Sequence, residues 1–362
     1  MASIRLNQVV KKYDDNLIIN RLTMECKEKE FLAILGPSGA GKTTILKMIA
    51  GIEEVTGGSV FFGERDYTRT SPQDRDLSMV FENYALYPHL SVRENISFPL
   101  KSPKKKGQFS ASEIEKRVQE AAKMVGLDDK LERRTDQLSG GQRQRVSLAR
   151  ALVKKTSVIL MDEPLAHLDA KLRVQMRGEL KRIHQDLGAT IIYVTHDYIE
   201  AMAMADRIAV TNNGELQQIG TPEEIYFQPR NEFVATIVGE PPMNIFQAEL
   251  AARDGKVYGS WEGQTFEVPL PGSFSGKAVD IGIRPNNINL VPAGSDNSLA
   301  AIVDDVEPLG RQQIVTVQVG GRMLVVKSDR DRSITLGQTV HLQFDYAYLH
   351  LFDTVTKERM VL

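Results

Sequence analysis

The chain has 362 residues, of which 42% are hydrophobic and 25% are charged, with a formal net charge of −2. This composition is that of a globular protein with two or three domains, and the balanced charge argues against a general nucleic-acid binder. The single cysteine, Cys26, excludes an internal disulfide, which fits a reducing cytosol. No apolar run of about 18 residues occurs, and residues 1–6 lack the pattern of a secretory leader. We therefore expect a membrane role only through docking onto a separate membrane subunit.

The N-terminal part, about 230 residues long, alternates short apolar runs with helical patterns, which is typical of a parallel α/β sheet. Phe31–Leu35 is predicted to be a buried strand that runs into the glycine-rich segment Gly36–Gly41 and then into a helix from Lys42. Further buried strands are predicted at Ser157–Met161 and Thr190–Thr195.

A helical insert is predicted between the first two of these strands. Residues 91–137 are charged, and Ala111–Val125 has apolar residues at helical spacing. We assign the insert to residues 89–150, inside a first domain that spans residues 1–235.

The C-terminal part has a different sequence pattern, in which glycine and proline separate short segments of alternating apolar and polar residues. This pattern favours a small all-β barrel or sandwich, in a second domain at residues 236–362. Gly239–Pro242 is the predicted linker. The predicted strands are Ala278–Ile283, Ile288–Val291, Ile314–Val319, Met323–Lys327 and Thr339–Phe344.

The segment Gly36–Thr43 fits the phosphate-loop pattern G-x-x-x-x-G-K-[ST]. Its glycines allow backbone N–H groups to approach phosphates, and the following helix adds its positive end. Lys42 is expected to reach the β- and γ-phosphates, and Thr43 to place its hydroxyl on Mg²⁺. The predicted nucleotide-binding residues of this segment are Gly36, Ser38, Gly39, Ala40, Gly41, Lys42, Thr43 and Thr44.

Acidic residues and a histidine follow two of the predicted strands. Asp162 stands at the carboxyl end of one strand, where a partner of Mg²⁺ is expected. Glu163 is the candidate to orient or deprotonate the attacking water. His196 follows the strand Thr190–Thr195 and is therefore expected at the same edge of the sheet, beside the γ-phosphate.

A second anion-binding helix start is predicted at Leu138–Gln142, before a helix over Gln142–Val153. Two such sites in one chain require either two phosphates or a partner. The economical interpretation is that Ser139 and Gly141 close over the ATP that another copy holds. The predicted nucleotide-binding residues here are Ser139, Gly140, Gly141 and Gln142.

The order of these motifs resembles that of ATP-binding-cassette (ABC) transporter nucleotide-binding subunits, over essentially the whole chain. Several segments are similar to the maltose-type ATPases of sugar and glycerol-phosphate importers. The resemblance implies a P-loop NTPase domain of the α/β class with a helical insert, followed by an all-β regulatory domain like an oligonucleotide-binding (OB) fold. The matching segments are Tyr84–His89, Leu168–Arg173, Gly220–Tyr226, Pro241–Asn244 and Gly282–Pro285.

The resemblance also implies a working assembly. Two cassettes would hold two ATP molecules with Mg²⁺ between them and drive two membrane permease subunits served by an external solute-binding protein. The chain would lie peripherally at the cytoplasmic face of the membrane, with no nucleic-acid partner. Tyr13 matches the position that stacks on adenine, and Asp169 matches the loop that couples the two sites.

Two positions depart from the family pattern. Glu82 stands where glutamine usually touches Mg²⁺ and the attacking water, and His167 stands where the subgroup often has asparagine. Glu82 is a candidate metal ligand, since oxygen donors suit Mg²⁺, and with Glu163 and His196 it is a candidate catalytic residue, although its charge also repels phosphate. One hypothesis is pairing with a different ATPase to form unequal sites. A homodimer is favoured because Ser139, Glu163 and His196 are all present.

Other ABC ATPases have features that this sequence lacks. Those of DNA repair carry a long coiled coil, those of translation carry two cassettes, and exporter cassettes are often fused to membrane spans. A regulatory protein or a non-transport soluble ABC ATPase remains the alternative. Sugar, polyol, glycerol phosphate and oligosaccharide all remain open as the solute, since selectivity lies in other subunits.

Overall fold

The structure, a computed structural model, describes residues 3–102, 107–270, 276–330 and 333–360. The chain forms two compact units, Met1–Pro222 and Glu223–Leu362. The division lies earlier than the predicted boundary after residue 235, and the predicted linker Gly239–Pro242 lies inside the second unit. Among the helices described, none is both long enough and apolar enough to cross a membrane.

The strands of the first unit belong to two sheets. In chain order they are β1 (Ile4–Tyr13), β2 (Asn16–Cys26), β3 (Phe31–Leu35), β4 (Gly57–Phe62), β5 (Arg65–Asp66), β6 (Leu77–Val80), β7 (Val158–Asp162), β8 (Thr190–Thr195), β9 (Arg207–Asn212) and β10 (Glu215–Gly220). The helices of this part are α1 (Lys42–Ala50), α2 (Val92–Ser97), α3 (Ala111–Met124), α4 (Gly140–Leu152), α5 (Ala170–Leu187) and α6 (Tyr198–Met204).

The larger sheet positions the site. Its strand order is β10-β9-β3-β8-β7-β6, and every pair is parallel except β10 with β9. Strands β3, β7 and β8 are buried along their whole length, as the continuous apolar runs predict. Leu35 pairs with Thr195, and Asp162 pairs with Val194, so three carboxyl ends meet at one edge. The residues after these strands are therefore brought together.

The smaller sheet is antiparallel, with strand order β2-β1-β4-β5. Its apolar face packs with the side of the large sheet that α1 also covers, in one core that includes Leu6, Ile34 and Ile45. Tyr13 ends strand β1 at the rim of this sheet.

The predicted helical insert contains α2, α3 and α4. The predicted helix Ala111–Val125 is observed as α3, with Ser110 as its N-cap and Val118 and Ala122 buried. Capping boxes start α2 at Ser91 and α4 at Ser139, which fixes both helix starts. The helices share one apolar core with strands β3 and β7 of the large sheet.

The second unit is built largely of antiparallel strands, as the alternating pattern predicted. Two five-stranded sheets have the orders β13-β12-β11-β14-β20 and β15-β19-β16-β17-β18 and enclose one apolar core. The strands are β11 (Asn244–Arg253), β12 (Lys256–Trp261), β13 (Gln264–Val268), β14 (Lys277–Ile283), β15 (Ile288–Val291), β16 (Leu299–Leu309), β17 (Gln312–Val319), β18 (Arg322–Asp329), β19 (Thr339–Phe344) and β20 (His350–Asp353).

Two short helices, α7 (Pro222–Phe227) and α8 (Glu232–Ile237), lie at the start of this unit. Buried Arg284 holds them there, since its guanidinium donates to the carbonyl oxygens of Tyr226 at 2.7 Å and Val238 at 2.5 Å. The guanidinium also lies 3.8 Å from the centroid of the Tyr226 ring. These contacts explain why residues 223–238 belong with the β-rich unit although the sequence placed them mostly with the first domain.

Candidate nucleotide-binding and hydrolysis site

The phosphate loop connects β3 to α1, as the motif requires. Gly39 and Gly41 have φ of +83° and +87°, a left-handed conformation that glycine adopts without strain. Helix α1 begins at Lys42 with Gly41 as its N-cap, and no acidic residue lies in its first turn. The helix therefore presents free N–H groups and its positive end to the loop, which suits a phosphate.

Lys42 is a buried cation at the start of this helix. Its Nζ donates to the carbonyl oxygen of Pro37 at 2.9 Å and lies 3.7 Å from Oε1 of Glu163. Burial lowers the pKa of Lys42, and the Glu163 and Asp162 carboxylates act in the opposite direction. The desolvated ammonium of Lys42 lies over the loop. A polyanionic ligand fits this position because its negative charge would compensate the buried positive charge, which is costly to leave without a partner.

Thr43 and Asp162 place two oxygen donors side by side. The Thr43 hydroxyl donates to Oδ1 of Asp162 at 2.9 Å. Burial raises the pKa of Asp162, as do the Glu163 and Glu82 carboxylates, while the Thr43 hydrogen bond lowers it. This concentration of negative charge fits a divalent cation. No group of three acidic, histidine or cysteine side chains closes on one point in the described ranges. Mg²⁺ takes few protein ligands and fills its shell from phosphate and water, so the Thr43–Asp162 pair suits it.

Glu163 and His196 meet at the same edge, as the strand ends predicted. Oε2 of Glu163 lies 2.8 Å from Nδ1 of His196. Glu163 has φ of +42°, and its N–H donates to the carbonyl oxygen of Val194 at 3.0 Å. A non-glycine residue in this conformation is strained, and such strain occurs at sites where the structure fixes a side chain for function. The Glu163 side chain is 18% exposed, against 55% for His196.

The two departures from the family pattern face each other. Nε2 of His167 lies 3.8 Å from Oε1 of Glu82, and both side chains are more than half exposed. The His167 ring also meets the edge of Tyr84, with ring centroids 6.1 Å apart. Glu82 lies close enough to Asp162 to raise the pKa of that carboxyl group. The sequence identified Glu82 and His167 separately, and the structure pairs them.

The second predicted anion site is the start of α4. The Ser139 hydroxyl accepts from the Gln142 N–H at 3.3 Å, and Oε1 of Gln142 accepts from the Ser139 N–H at 3.1 Å. A Cβ on Gly141 would lie 2.3 Å from Cδ2 of Leu172, whereas Gly140 faces open space. In the described chain, the side-chain hydrogen bonds of Ser139 and Gln142 are to each other, and none reaches the phosphate loop of the same chain.

The remaining predicted residues lie around this site. Tyr13 is 43% exposed, with Nζ of Lys11 4.6 Å from its ring centroid. Burial and the nearby Glu53 raise the pKa of Tyr13, whereas a hydrogen bond with Thr44 lowers it. Because Thr44 belongs to α1, the ring lies beside that helix. Asp169 is exposed and caps α5 by accepting from the Leu172 N–H at 2.9 Å.

Sequence reasoning missed two side chains that hold the segment after Glu82. Ser147 and Arg150, both on α4, donate to backbone carbonyl oxygens of Tyr84 and Ala85. Their partners are 63 to 66 residues away in the sequence. Carbonyl groups carry no residue-type signal, so nothing in the sequence could have identified these contacts.

Comparisons with known proteins identify the family. An ABC transporter family model matches residues 19–166, and a TOBE domain model matches residues 281–352. The trehalose/maltose import ATP-binding protein MalK of Thermococcus litoralis is 45% identical over 98% of this chain and 99% of its own length. The chain belongs to the ABC transporter ATPase family. The sulfoquinovosyl glycerol transport ATP-binding protein SmoE of Agrobacterium fabrum is 44% identical over 99% of both chains.

Solved structures support the same assignment. The dimeric structure of a bacterial ABC transporter cassette has 32% identity and a TM-score of 0.56, covering 60% of this chain and 98% of that one. A post-hydrolysis dimer of the same cassette, bound to ADP and Pi, has 33% identity and a TM-score of 0.55 at the same coverage. The chain is thus an ABC ATPase that hydrolyses ATP with Mg²⁺, as the motifs predicted. Bound Mg²⁺ would supply positive charge between the phosphates and the Thr43–Asp162 pair.

Proposed function

We propose that this ABC ATPase is the motor subunit of an importer for a carbohydrate-like solute, a sugar, a polyol or a glycerol phosphate. It works as a dimer on two permease subunits, which an external solute-binding protein supplies, and it lies peripherally at the cytoplasmic face of the membrane. The main support for an ATPase motor is that the phosphate loop, the Thr43–Asp162 pair and the Glu163–His196 pair all lie at one edge of the large sheet.

Each residue at this edge receives a role from its geometry. Lys42 and the loop N–H groups bind the β- and γ-phosphates, while Thr43 and Asp162 hold Mg²⁺. Glu163 orients the attacking water and accepts its proton, and His196, 2.8 Å from Glu163, fixes that carboxylate and faces the γ-phosphate. Catalysis of this kind is mainly positioning and charge stabilisation. Tyr13, beside α1, stacks on the adenine.

The start of α4 completes the site of a second copy. Its Ser139 hydroxyl still has a proton to donate, and the glycine at 140 leaves space at the helix start. The N–H groups of this start are suited to a phosphate, and no phosphate-loop residue of the same chain contacts them in the described ranges. Ser139, Gly140, Gly141 and Gln142 therefore close over the partner's ATP, and Asp169 couples the two sites. The related cassette described above is a dimer.

A groove beside α4 offers a docking place for the permease. Its volume is about 350 Å³, and aromatic and aliphatic side chains dominate its lining, with Phe98 44% exposed. An apolar groove of this kind accepts the apolar face of a short helix. Its lining includes Met79, Phe81, Tyr87, Phe98, Pro99 and Arg150.

The solute class is inferred from the relatives. Two of them are named for trehalose/maltose and for sulfoquinovosyl glycerol, and a third, from Agrobacterium fabrum, for sn-glycerol-3-phosphate at 42% identity. All of these solutes are sugars or glycerol derivatives. Full-length similarity to import ATPases favours the importer over a regulatory or non-transport soluble ATPase. The β-rich second domain, OB-like in the sequence prediction, supports dimerisation and regulation.

The partner cassette is either a second copy or a paralogue. Glu82 brings a further carboxylate near Asp162, which also lies close to Glu163, and in a homodimer this charge is present in both sites. Pairing with a chain that has glutamine at this position would leave one site without it. The complete set of Lys42, Ser139, Glu163 and His196 favours the homodimer.

The test is to purify the tagged chain from native membranes in mild detergent and to identify what accompanies it. Two permease subunits with no second ATPase support the homodimer. A second ATPase with glutamine at the matching position supports unequal sites. If no membrane protein co-purifies in several detergents, the importer proposal fails.

A further inference from the structure

Helix α4 and the segment after Glu82 are joined by hydrogen bonds to which the proposed mechanism gives no role. Nη1 and Nη2 of Arg150 donate to the carbonyl oxygens of Ala85 at 2.6 Å and Tyr84 at 2.8 Å. The Ser147 hydroxyl, one turn earlier on α4, donates to the same Tyr84 oxygen at 2.9 Å. Donors from two side chains of one helix thus hold two consecutive peptide groups.

The backbone that they hold is strained. Tyr84 and Ala85 have φ of +63° and +45°, in the left-handed region that side chains other than glycine rarely adopt. Such a conformation persists only where the surroundings fix it. Within the segment, the Tyr84 N–H donates to Phe81 and the Ala85 N–H donates to Asn83, and the α4 donors add the contacts that hold its carbonyl groups from outside.

The Arg150 guanidinium contacts this strained segment. In the described ranges its hydrogen bonds go to these two neutral carbonyl oxygens, and it lies 5.5 Å from the centroid of the Tyr87 ring. Burial lowers its pKa. Burying a cation that has no carboxylate partner costs free energy. The burial of Arg150 is therefore consistent with a role in fixing conformation rather than with a gain in stability alone.

The held backbone is continuous with the turn that contains Glu82. The Tyr84 N–H donates to the carbonyl oxygen of Phe81 at 3.0 Å, closing a turn whose second residue is Glu82. We propose that Ser147 and Arg150 are positioning residues, which determine the position of the Glu82 carboxylate at the sheet edge where the phosphate loop lies. This inference rests on the proposed function and on the expectation that Glu82, close to Asp162, is a ligand of Mg²⁺.

The arrangement links dimer closure to the same carboxylate. Helix α4 starts at Ser139, which the proposed dimer places on the partner's ATP, and Arg150 lies about 16 Å further along the helix. A helix moves as a rigid element, so a shift of its start on closure also moves the groups that hold Tyr84 and Ala85. Arg150 further lines the permease groove, which connects permease docking to Glu82 through the same side chain.

Amide hydrogen exchange on the nucleotide-free full chain tests the contact itself. The Tyr84 and Ala85 amides donate to Phe81 and Asn83, and they exchange when the segment opens. We expect Arg150→Gln to raise their exchange rate about tenfold, because the segment opens more readily without the charged hydrogen bonds to its carbonyl oxygens. Ser147→Ala gives a smaller rise and replaces Arg150→Gln if that variant does not fold. Arg145→Gln is the matched control, because Arg145 is on the same helix and donates to the Val125 carbonyl oxygen instead. Equal exchange in all variants would overturn the proposal.

A double-mutant cycle on ATP hydrolysis tests the link to Glu82. We expect Arg150→Gln to lower kcat about tenfold with the KM for ATP unchanged, and to have no further effect in a Glu82→Ala background. The same fold-loss in both backgrounds would contradict positioning through Glu82. If Glu82→Ala alone left kcat unchanged, Glu82 would have no role and this inference would fail with it. Neither assay contains a permease, so failure of the importer proposal would be a separate result.

Discussion

Replacing Glu163 by glutamine tests the proposed catalytic centre. The amide keeps the size of the side chain and an oxygen that His196, at 2.8 Å, can still contact. It removes the negative charge that lies 3.7 Å from Nζ of Lys42. In the proposed mechanism it also removes the group that accepts the proton of the attacking water. Lys42, Thr43 and Asp162 are untouched, so nucleotide binding is expected to remain.

The expected loss is large because the carboxylate is fixed and largely shielded from water. A positioned general base contributes about 10²–10⁴-fold to a rate, which corresponds to about 3–5 kcal/mol of the activation barrier. The hydrogen bond from the Glu163 N–H to Val194 holds the backbone in place, so a water molecule cannot readily take over the position of the carboxylate. We therefore expect less than about 1% of the wild-type kcat.

The assay is steady-state phosphate release by purified Glu163→Gln chain, with bound nucleotide measured on the same preparation. The variant should retain ATP and accumulate as an ATP-bound dimer on size-exclusion chromatography. Glu120→Gln is the matched control, since Glu120 pairs with Lys155 on the surface, away from the site. Normal turnover by Glu163→Gln would refute the role of this carboxylate.

Three other outcomes are expected. Lys42→Ala should weaken ATP binding at least tenfold, roughly the contribution of one buried charge-assisted contact, and unchanged affinity by fluorescent-nucleotide titration would contradict this. Mixing Lys42→Ala chains with Ser139→Arg chains should restore turnover that neither has alone, since one of the two shared sites is then intact; a mixture as inactive as its components would contradict a shared site. Burial, with Arg359 and Arg284, lowers the pKa of His350 from 6.5 to about 4. The unfolded chain therefore binds the proton first, and stability should fall as the pH drops from about 6.5 toward about 4. His350→Gln should reduce that pH dependence in thermal melts, and an unchanged dependence would contradict it.

Much of the hydrolysis edge was predictable because each part depends on local sequence. The apolar runs at β3 and β8 predict buried strands with the observed bounds, Phe31–Leu35 and Thr190–Thr195. Parallel strands place their carboxyl ends together, so Glu163 and His196 were expected to meet before their distance was known. In the second unit the alternating segments Ile288–Val291 and Thr339–Phe344 are strands with the predicted bounds.

What the sequence did not predict depends on contacts between distant segments. The pairing of Glu82 with His167 requires two loops to approach, and neither loop has a periodic pattern. The hydrogen bonds from Arg150 end on carbonyl groups, which are the same in every residue. Helix α7 and most of α8 look like a continuation of the first domain, because the contacts that assign them to the second, those of the buried Arg284 among them, are with residues distant in the sequence.

Transport by the reconstituted complex tests the central claim most directly. The complex that co-purifies with the tagged chain is placed in liposomes with its solute-binding protein, and uptake of radiolabelled maltose, trehalose, glycerol and glycerol phosphate is measured. We expect accumulation of one such solute only with MgATP on the side of the cassettes, and none with Glu163→Gln chains. ATP hydrolysis at a normal rate without accumulation of any sugar, polyol or glycerol phosphate would contradict the proposed importer for this class of solute.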